Sequence, residues 1–425
     1  MARELAIAVY LVLFRTIFRV CRLFPQEKKT VCVASFGDNI FYATRSLKQL
    51  SDERVIILKD RSCRYPFDAS IGDVLPFDIR HPLTFLQAIY HLATGTVILA
   101  DNYFGFLAVT DFRQDTTCIQ LWHASGAMKQ FGLNDPSVQT RSRRAKARFQ
   151  AVYSRFDYTV TASEQMAAIF RDSFGIRDTS ILRTGFPRTD FFFHEADKHE
   201  AVRNVRATYP AIAGNGRIAA GERSAEVQRV TSDGHFVEDE LVTSDGRGII
   251  LYAPTYRDHQ LHSQQLMLDI DQMYQALAND YMLLVKMHPA ANWKLDAACD
   301  GFVYDVSDYY DINHLLLLAD VLITDYSSIP FEFALLEKPM IFYPYDLDEY
   351  DEMRGLPEHY VSQVPGPVVF TTDGIIRAIL DGAFQPDDVR DFSSAWNEYT
   401  TGHASLDLAR FLTGTEAKKQ KQQSG

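Results

Sequence analysis

VLITDYSSIPFEFALLEKPMIFYPYD occupies residues 321–346. An apolar run ends at Thr324-Asp325. Ser327 and Ser328 then open a helix-like segment with Pro330 in its first turn, where a missing N–H costs nothing. A second apolar run starts at Met340. Neither run alternates polar and apolar residues, which is how strands covered on both faces read, so the sheet should be parallel. Strand, helix and strand within this length make one βαβ crossover.

The same pattern extends in both directions. Strand candidates lie at 31–36, 54–59, 96–101, 117–123 and 158–163, and again at 248–254, 281–289, 302–306 and 340–346. Two series of strand–helix–strand repeats predict two doubly wound α/β units. The length of 425 residues exceeds what one ordinary core supports and also points to two domains. Between the series, residues 211–247 hold few large apolar side chains and many Gly, Ser and Asp, with TSDG at 231–234 and 243–246. This is poor core material. The reading divides the chain into an N-terminal helix (1–29), a first Rossmann-like domain (30–194), a linker or insertion (195–247), a second Rossmann-like domain (248–385), and C-terminal helices with a polar tail (386–425).

Composition narrows the function classes. The net charge of −12 argues against general nucleic-acid binding. The five cysteines are scattered, form no C-x-x-C pair and have no zinc spacing, as in a reduced cytoplasmic protein. There is no Walker A loop and no G-x-G-x-x-G. The D-x-D at Asp269–Asp271 falls in a helix-like segment. Nothing calls for a metal or a cofactor.

The N-terminus departs from this average. Residues 1–29 carry six basic and two acidic side chains. Their uncharged run, Leu5 to Phe14, is half the length that crosses a bilayer. Arg15, Arg19 and Arg22 share one helix face, while Leu11, Phe14, Phe18 and Cys21 share another. That pattern predicts a helix lying in the headgroup plane. A packing helix of a soluble domain is the alternative.

In doubly wound sheets, ligands bind at the carboxyl ends of strands. His123 follows the run TCIQLW, with small Ala124, Ser125 and Gly126 after it and Lys129 just beyond. A neutral imidazole there can accept a hydroxyl proton. His288 ends another run, near Lys286, where Pro289 forces the chain out. Free N–H groups and the hydroxyls of Ser327 and Ser328 make an anion site or an ordinary cap. Glu332 stands one turn on, where an acid can bond ribose hydroxyls. Arg188, in RTGFPRTDFF at 183–192, offers a fork to phosphate or a salt bridge to Asp190. The run RSRRAKARF at 141–149 is basic without an intervening acid and suggests phosphate or lipid headgroups.

Taken together, QLWHASGAMKQFG, SEQMAAIFRDSFG, RTGFPRTDFFF, ILYAPTYRD, KMHP and the long block from Thr324 to Gly355 resemble the CDP-glycerol glycerophosphotransferase family of teichoic acid synthesis, the primase branch above all. The resemblance implies a GT-B-like fold with two Rossmann-like domains facing a cleft. It implies His123 as base, with His288, Ser327 and Ser328 near the donor pyrophosphate. Ser125, Lys129, Arg188, Thr255, Asp325, Glu332 and Arg354 become substrate contacts. Glu332 departs from the Asp of many relatives. The implied partners are CDP-glycerol, a ManNAc-GlcNAc disaccharide on undecaprenyl diphosphate, and the cytoplasmic face of the membrane, where the protein would be peripheral. A polymerase, a CDP-ribitol enzyme and a sugar-nucleotide glycosyltransferase are the competing readings.

Overall fold

The computed structural model describes residues 2–213, 246–255, 257, 266–287, 299, 301–357 and 359–414. His288, nearly all of the stretch 211–247 and most of the polar tail lie outside them. The described residues fall in two units. One draws on Met1–Phe193, Leu347–Tyr360 and Asp391–Gly425; the other on His194–Asp346 and Val361–Arg390. This differs from the linear boundaries read in the sequence, because the chain re-enters the first unit after residue 346 and again after residue 390.

Unit 1 is built on seven strands: β1 (Lys29–Ala34), β2 (Arg54–Asp60), β3 (Asp73–Phe77), β4 (Val97–Ala100), β5 (Thr117–Gln120), β6 (Tyr158–Val160) and β7 (Ile181–Leu182). Their order is β3-β2-β1-β4-β5-β6-β7 and every pairing is parallel. Unit 2 has β8 (Gly248–Tyr252), β9 (Tyr281–Val285), β10 (Val303–Asp305), β11 (Val321–Thr324) and β12 (Met340–Phe342), in the order β10-β9-β8-β11-β12, also parallel. The central strands β1 and β11 are buried along their length, as the unbroken apolar runs predict. The core of unit 2 gathers Ile250, Leu283, Val285, Ile323 and Ile341 from its strands, with Met273, Leu277 and Ile375 from covering helices.

Strand order reverses once in each sheet: between β1 and β4, and between β8 and β11. A crevice opens at such a switch point because successive crossovers leave on opposite sides.

Three helices of unit 1 matter below: α1 (Ala2–Cys21), α2 (Asp38–Leu50) and α3 (Pro82–Thr94). α1 is apolar on two faces. Phe14 and Phe18 are buried, with Phe14 stacked on Phe106 at 4.9 Å and Phe18 edge-on to Phe112 at 5.7 Å. The face expected to meet lipid through Leu11, Phe14, Phe18 and Cys21 is therefore the packed one. The apolar residues left exposed are Leu5, Val9, Val12, Leu13 and Val20, which recur at helical spacing on the other side. Among the described residues, no helix is long and apolar enough to cross a membrane.

Candidate active site

β5 ends at Gln120, short of the expected end at His123. The Leu121 N–H still reaches the Ala100 carbonyl at 2.7 Å. Trp122 then turns left-handed with φ 57°, a conformation that costs a bulky residue about 1–2 kcal/mol. Packing and hydrogen bonds hold it there. Its N–H donates to Gln120 Oε1 at 2.8 Å, and its carbonyl accepts from Asn39 Nδ2 at 3.1 Å. Its ring sits among Phe131, Phe170 and Phe174. The turn aims His123 back across the switch point.

There His123 stacks on Phe36, with centroids 4.3 Å apart and planes 9° apart. Its Nδ1 lies 3.2 Å from the Asp101 main-chain oxygen. A carbonyl can only accept, so Nδ1 carries the proton and Nε2 keeps a lone pair. Burial pulls the imidazole down to about 4, with the Asp101 carbonyl opposing and the Arg188 cation assisting. At neutral pH the ring is an uncharged proton acceptor.

The Asp101 carboxylate, fully buried, accepts the N–H groups of Ser35 at 2.8 Å, Phe36 at 2.9 Å and Gly37 at 2.8 Å. It thereby fixes the β1–α2 turn and with it the Phe36 ring. Gly37 has φ 99°, and a Cβ there would fall 2.5 Å from Tyr65 Cβ.

Arg188 is only 5% exposed. Its Nη1 pairs with Asp38 Oδ2 at 2.9 Å, and its N–H donates to Asn39 Oδ1 at 2.9 Å. The fork expected to meet a phosphate is thus engaged inside the protein and braces the Asn39–Trp122 contact. Asp190, the alternative partner, instead accepts the N–H groups of Ala404 and Ser405. Ser125 is fully buried. Lys129 is exposed and lies 3.4 Å from the Tyr350 hydroxyl. The Gln130 N–H donates to the Gly355 carbonyl at 3.1 Å, which brings the turn bearing Arg354 beside Lys129.

Unit 2 repeats the device. Asp325 follows β11, and its Oδ1 accepts the Thr255 N–H, beyond β8, at 2.7 Å and the Tyr326 N–H at 2.7 Å. Its Oδ2 pairs with Arg257 at 2.8 Å. Arg257 also grips Asp346 through Nε at 2.5 Å and Nη2 at 2.8 Å, and lies over the Tyr345 ring at 4.5 Å. Both Asp325 oxygens therefore serve the loop itself. The Thr255 hydroxyl is buried with no partner among the described residues. Ser327 Oγ accepts the Ile329 N–H at 3.2 Å, whereas Ser328 makes no side-chain cap. Glu332 is 1% exposed, in the short helix Ile329–Phe333. Lys286, read as an anion contact, caps the carbonyls of Ser307 at 2.8 Å and Tyr309 at 2.6 Å. Asp101, Asp38, Arg257 and Asp346 belong to the site without standing out in the sequence. The one signal they offer is that Asp101 and Asp346 end apolar runs.

The architecture is that of a GT-B-like transferase, two Rossmann-like units each with a switch point. It matches the wall teichoic acid polymerase TagF with a TM-score of 0.75 over 99% of both chains, at 21% identity. A UDP-GlcNAc 2-epimerase from Neisseria meningitidis shares the general fold at TM-score 0.52 and 13% identity, covering 91% of this chain and all of that one. Fold alone therefore does not choose the chemistry. Sequence does: the family described as CDP-Glycerol:Poly(glycerophosphate) glycerophosphotransferase matches residues 18–218 and 226–414, and the chain belongs to it. It is 37% identical to a teichoic acid glycerol-phosphate primase of Bacillus subtilis (strain 168), over 78% of this chain and 77% of that one. It is 29% identical to a teichoic acid ribitol-phosphate primase of Bacillus spizizenii (strain ATCC 23059 / NRRL B-14472 / W23), over 92% of each.

Proposed function

We propose that this enzyme moves one glycerol phosphate from CDP-glycerol to a ManNAc-GlcNAc disaccharide carried on undecaprenyl diphosphate, and releases CMP. The observation that carries the reading is His123, neutral and with its Nε2 lone pair available at a switch point. Similarity to the primase supports the donor and the single addition. His123 takes the proton of a ManNAc hydroxyl. The oxygen attacks the glycerol-bearing phosphorus, an O–P bond forms, and the P–O bond to CMP breaks. Phosphoryl-type transfer needs positioning and charge neutralisation more than covalent help. In this reading Thr255, Ser327, Ser328, Glu332 and His288 hold the donor. Lys129 and Arg354 approach the acceptor's phosphates. Asp325 and Arg188 act as braces for the loops. The exposed apolar stripe of α1, edged by Arg15 and Arg19, rests on the cytoplasmic face of the membrane.

The test is incubation with CDP-glycerol and a defined lipid disaccharide, read by product mass and CMP release. One added unit is expected. A ladder of products would make it a polymerase, and turnover with CDP-ribitol or a UDP-sugar in place of CDP-glycerol would overturn the donor assignment. His123→Ala should retain CDP-glycerol binding and lose about 10²–10⁴-fold in turnover. Near-normal turnover would remove His123 as base.

A further inference from the structure

A groove of about 570 Å³ opens in unit 1 between α1, the start of α3 and the helix Arg143–Tyr153. That is the size of sites that enclose small ligands. Its floor is apolar, formed by Leu11, Phe77, Phe85, Phe104, Phe106 and Phe149. Three guanidinium groups, those of Arg61, Arg141 and Arg148, also line it. Arg141 lies over the Phe149 ring at 5.2 Å, and Arg148 has Glu4 at 3.6 Å. Arg61 and Arg141 have no carboxylate in ion-pair reach among the described residues. The groove's own acids, Asp60 and Asp78, are already engaged. Ser62 Oγ donates to Asp60 at 2.6 Å, and Asp78 takes Arg80 Nε at 2.7 Å and the Arg80 N–H at 3.0 Å. Among the lining residues three cations face two carboxylates, a margin of one positive charge, with Glu4 beside Arg148.

Position adds to composition. The groove contains Tyr103, which follows Asp101 and Asn102 in the chain, and the Asp101 carbonyl anchors His123. The Tyr103 hydroxyl is buried at the wall beside Arg148. Ile79, 61% exposed, also lines the groove, and Leu83, 82% exposed, lies in the first turn of α3. α3 packs on α1, whose outer face is the apolar stripe. The groove thus joins an apolar floor to guanidinium groups and shares the β4 loop that anchors the histidine.

We infer that this groove is the seat of the acceptor's anchor: it takes the first units of a single prenyl chain on its aromatic floor and the attached diphosphate on Arg61, Arg141 and Arg148. Guanidinium forks suit a diphosphate because each can bond two oxygens at once. The assignment rests on the reading that the acceptor is lipid-linked. It names the chemistry of one amphiphile with an anionic head, distinct from bulk bilayer headgroups.

Calorimetry on the full chain tests it, with farnesyl diphosphate as probe and inorganic diphosphate and farnesol as controls. Farnesyl diphosphate should bind at least about tenfold tighter than either control, because each supplies only half of the interaction. The exposed-residue variant R61Q/R141Q should lose about tenfold of that affinity. It should keep its thermal midpoint and its cosedimentation with phosphatidylglycerol vesicles. His123→Ala should bind the probe normally. Failure of the base assignment, or of CMP release, therefore leaves this result standing. Equal affinity in R61Q/R141Q and the parent would overturn the site. So would equal binding of inorganic diphosphate, or parallel loss of vesicle binding, which would make the arginines headgroup contacts.

Discussion

Lowering the pH from 7 to 5 should destabilise the native protein in part through His123, beside a like contribution from His91 and an opposing one from Asp101. An unfolded chain protonates this side chain near 6.5, whereas the folded one resists until about 4. Burial is the main cause, and Arg188 adds a like charge to the cationic form. In that window the native state binds fewer protons than the unfolded state, so stability is present above pH 6.5 and is lost as pH falls toward 4. The full gap corresponds to roughly 3 kcal/mol, of which about 2 kcal/mol falls between pH 7 and 5. Urea denaturation of the parent and His123→Gln at both pH values isolates the contribution. The drop in unfolding free energy should be larger in the parent by about 2 kcal/mol, because the carboxylates and His91 titrate alike in both proteins. The same geometry removes any acidic limb near 6.5 from kcat/KM. Identical drops in the two proteins, or a limb centred at 6.5, would refute the partly buried neutral imidazole.

Other perturbations probe separate contacts. Arg257→Leu leaves Asp325 and Asp346 without their shared cation in a buried site and should cost about 3–5 kcal/mol, measured as a fall in the urea midpoint. Gly37→Ala must place a Cβ 2.5 Å from Tyr65 at a positive φ, so a loss of more than about 1 kcal/mol is expected from the same measurement. Deleting α1 would uncover Phe85 and Phe106, so the membrane role is better tested by V9D/L13D on its exposed face. That variant should lose vesicle cosedimentation and keep its stability within about 0.5 kcal/mol.

The unbroken apolar runs made both parallel sheets legible, because a strand covered on two faces admits few polar residues. β3 escaped notice. Its sequence, DVLPF, contains Pro76 and lies at the sheet edge, where burial is incomplete and the apolar signal thins. The sequence pattern carries β5 past its true end for a different reason. Leu121 and Trp122 are buried like strand residues, and only the φ of Trp122 reveals the turn. α1 was legible as amphipathic but not as two-sided, since periodicity cannot say which apolar stripe meets the protein. At the site, His123 stood out because small residues follow it. The braces did not. Arg188 meets Asp38 across 150 positions, and Asp101 meets Ser35–Gly37 only because β1 and β4 become neighbours. Those adjacencies are set by crossover order rather than by any local pattern.

The carboxylate of Asp101 has a consequence for how such halves could diverge. Three consecutive amides of the turn after β1 converge on it, as amides elsewhere converge on a phosphate. The protein thus carries a resident carboxyl group, pushed up to about 7 by burial while those amides oppose the rise, where a Rossmann-like unit could otherwise accept a foreign anion. The turn is ordered in advance, and a ligand arriving nearby need not organise it at about 1–2 kcal/mol per residue. Replacing that one side chain by a small neutral residue would vacate the amides.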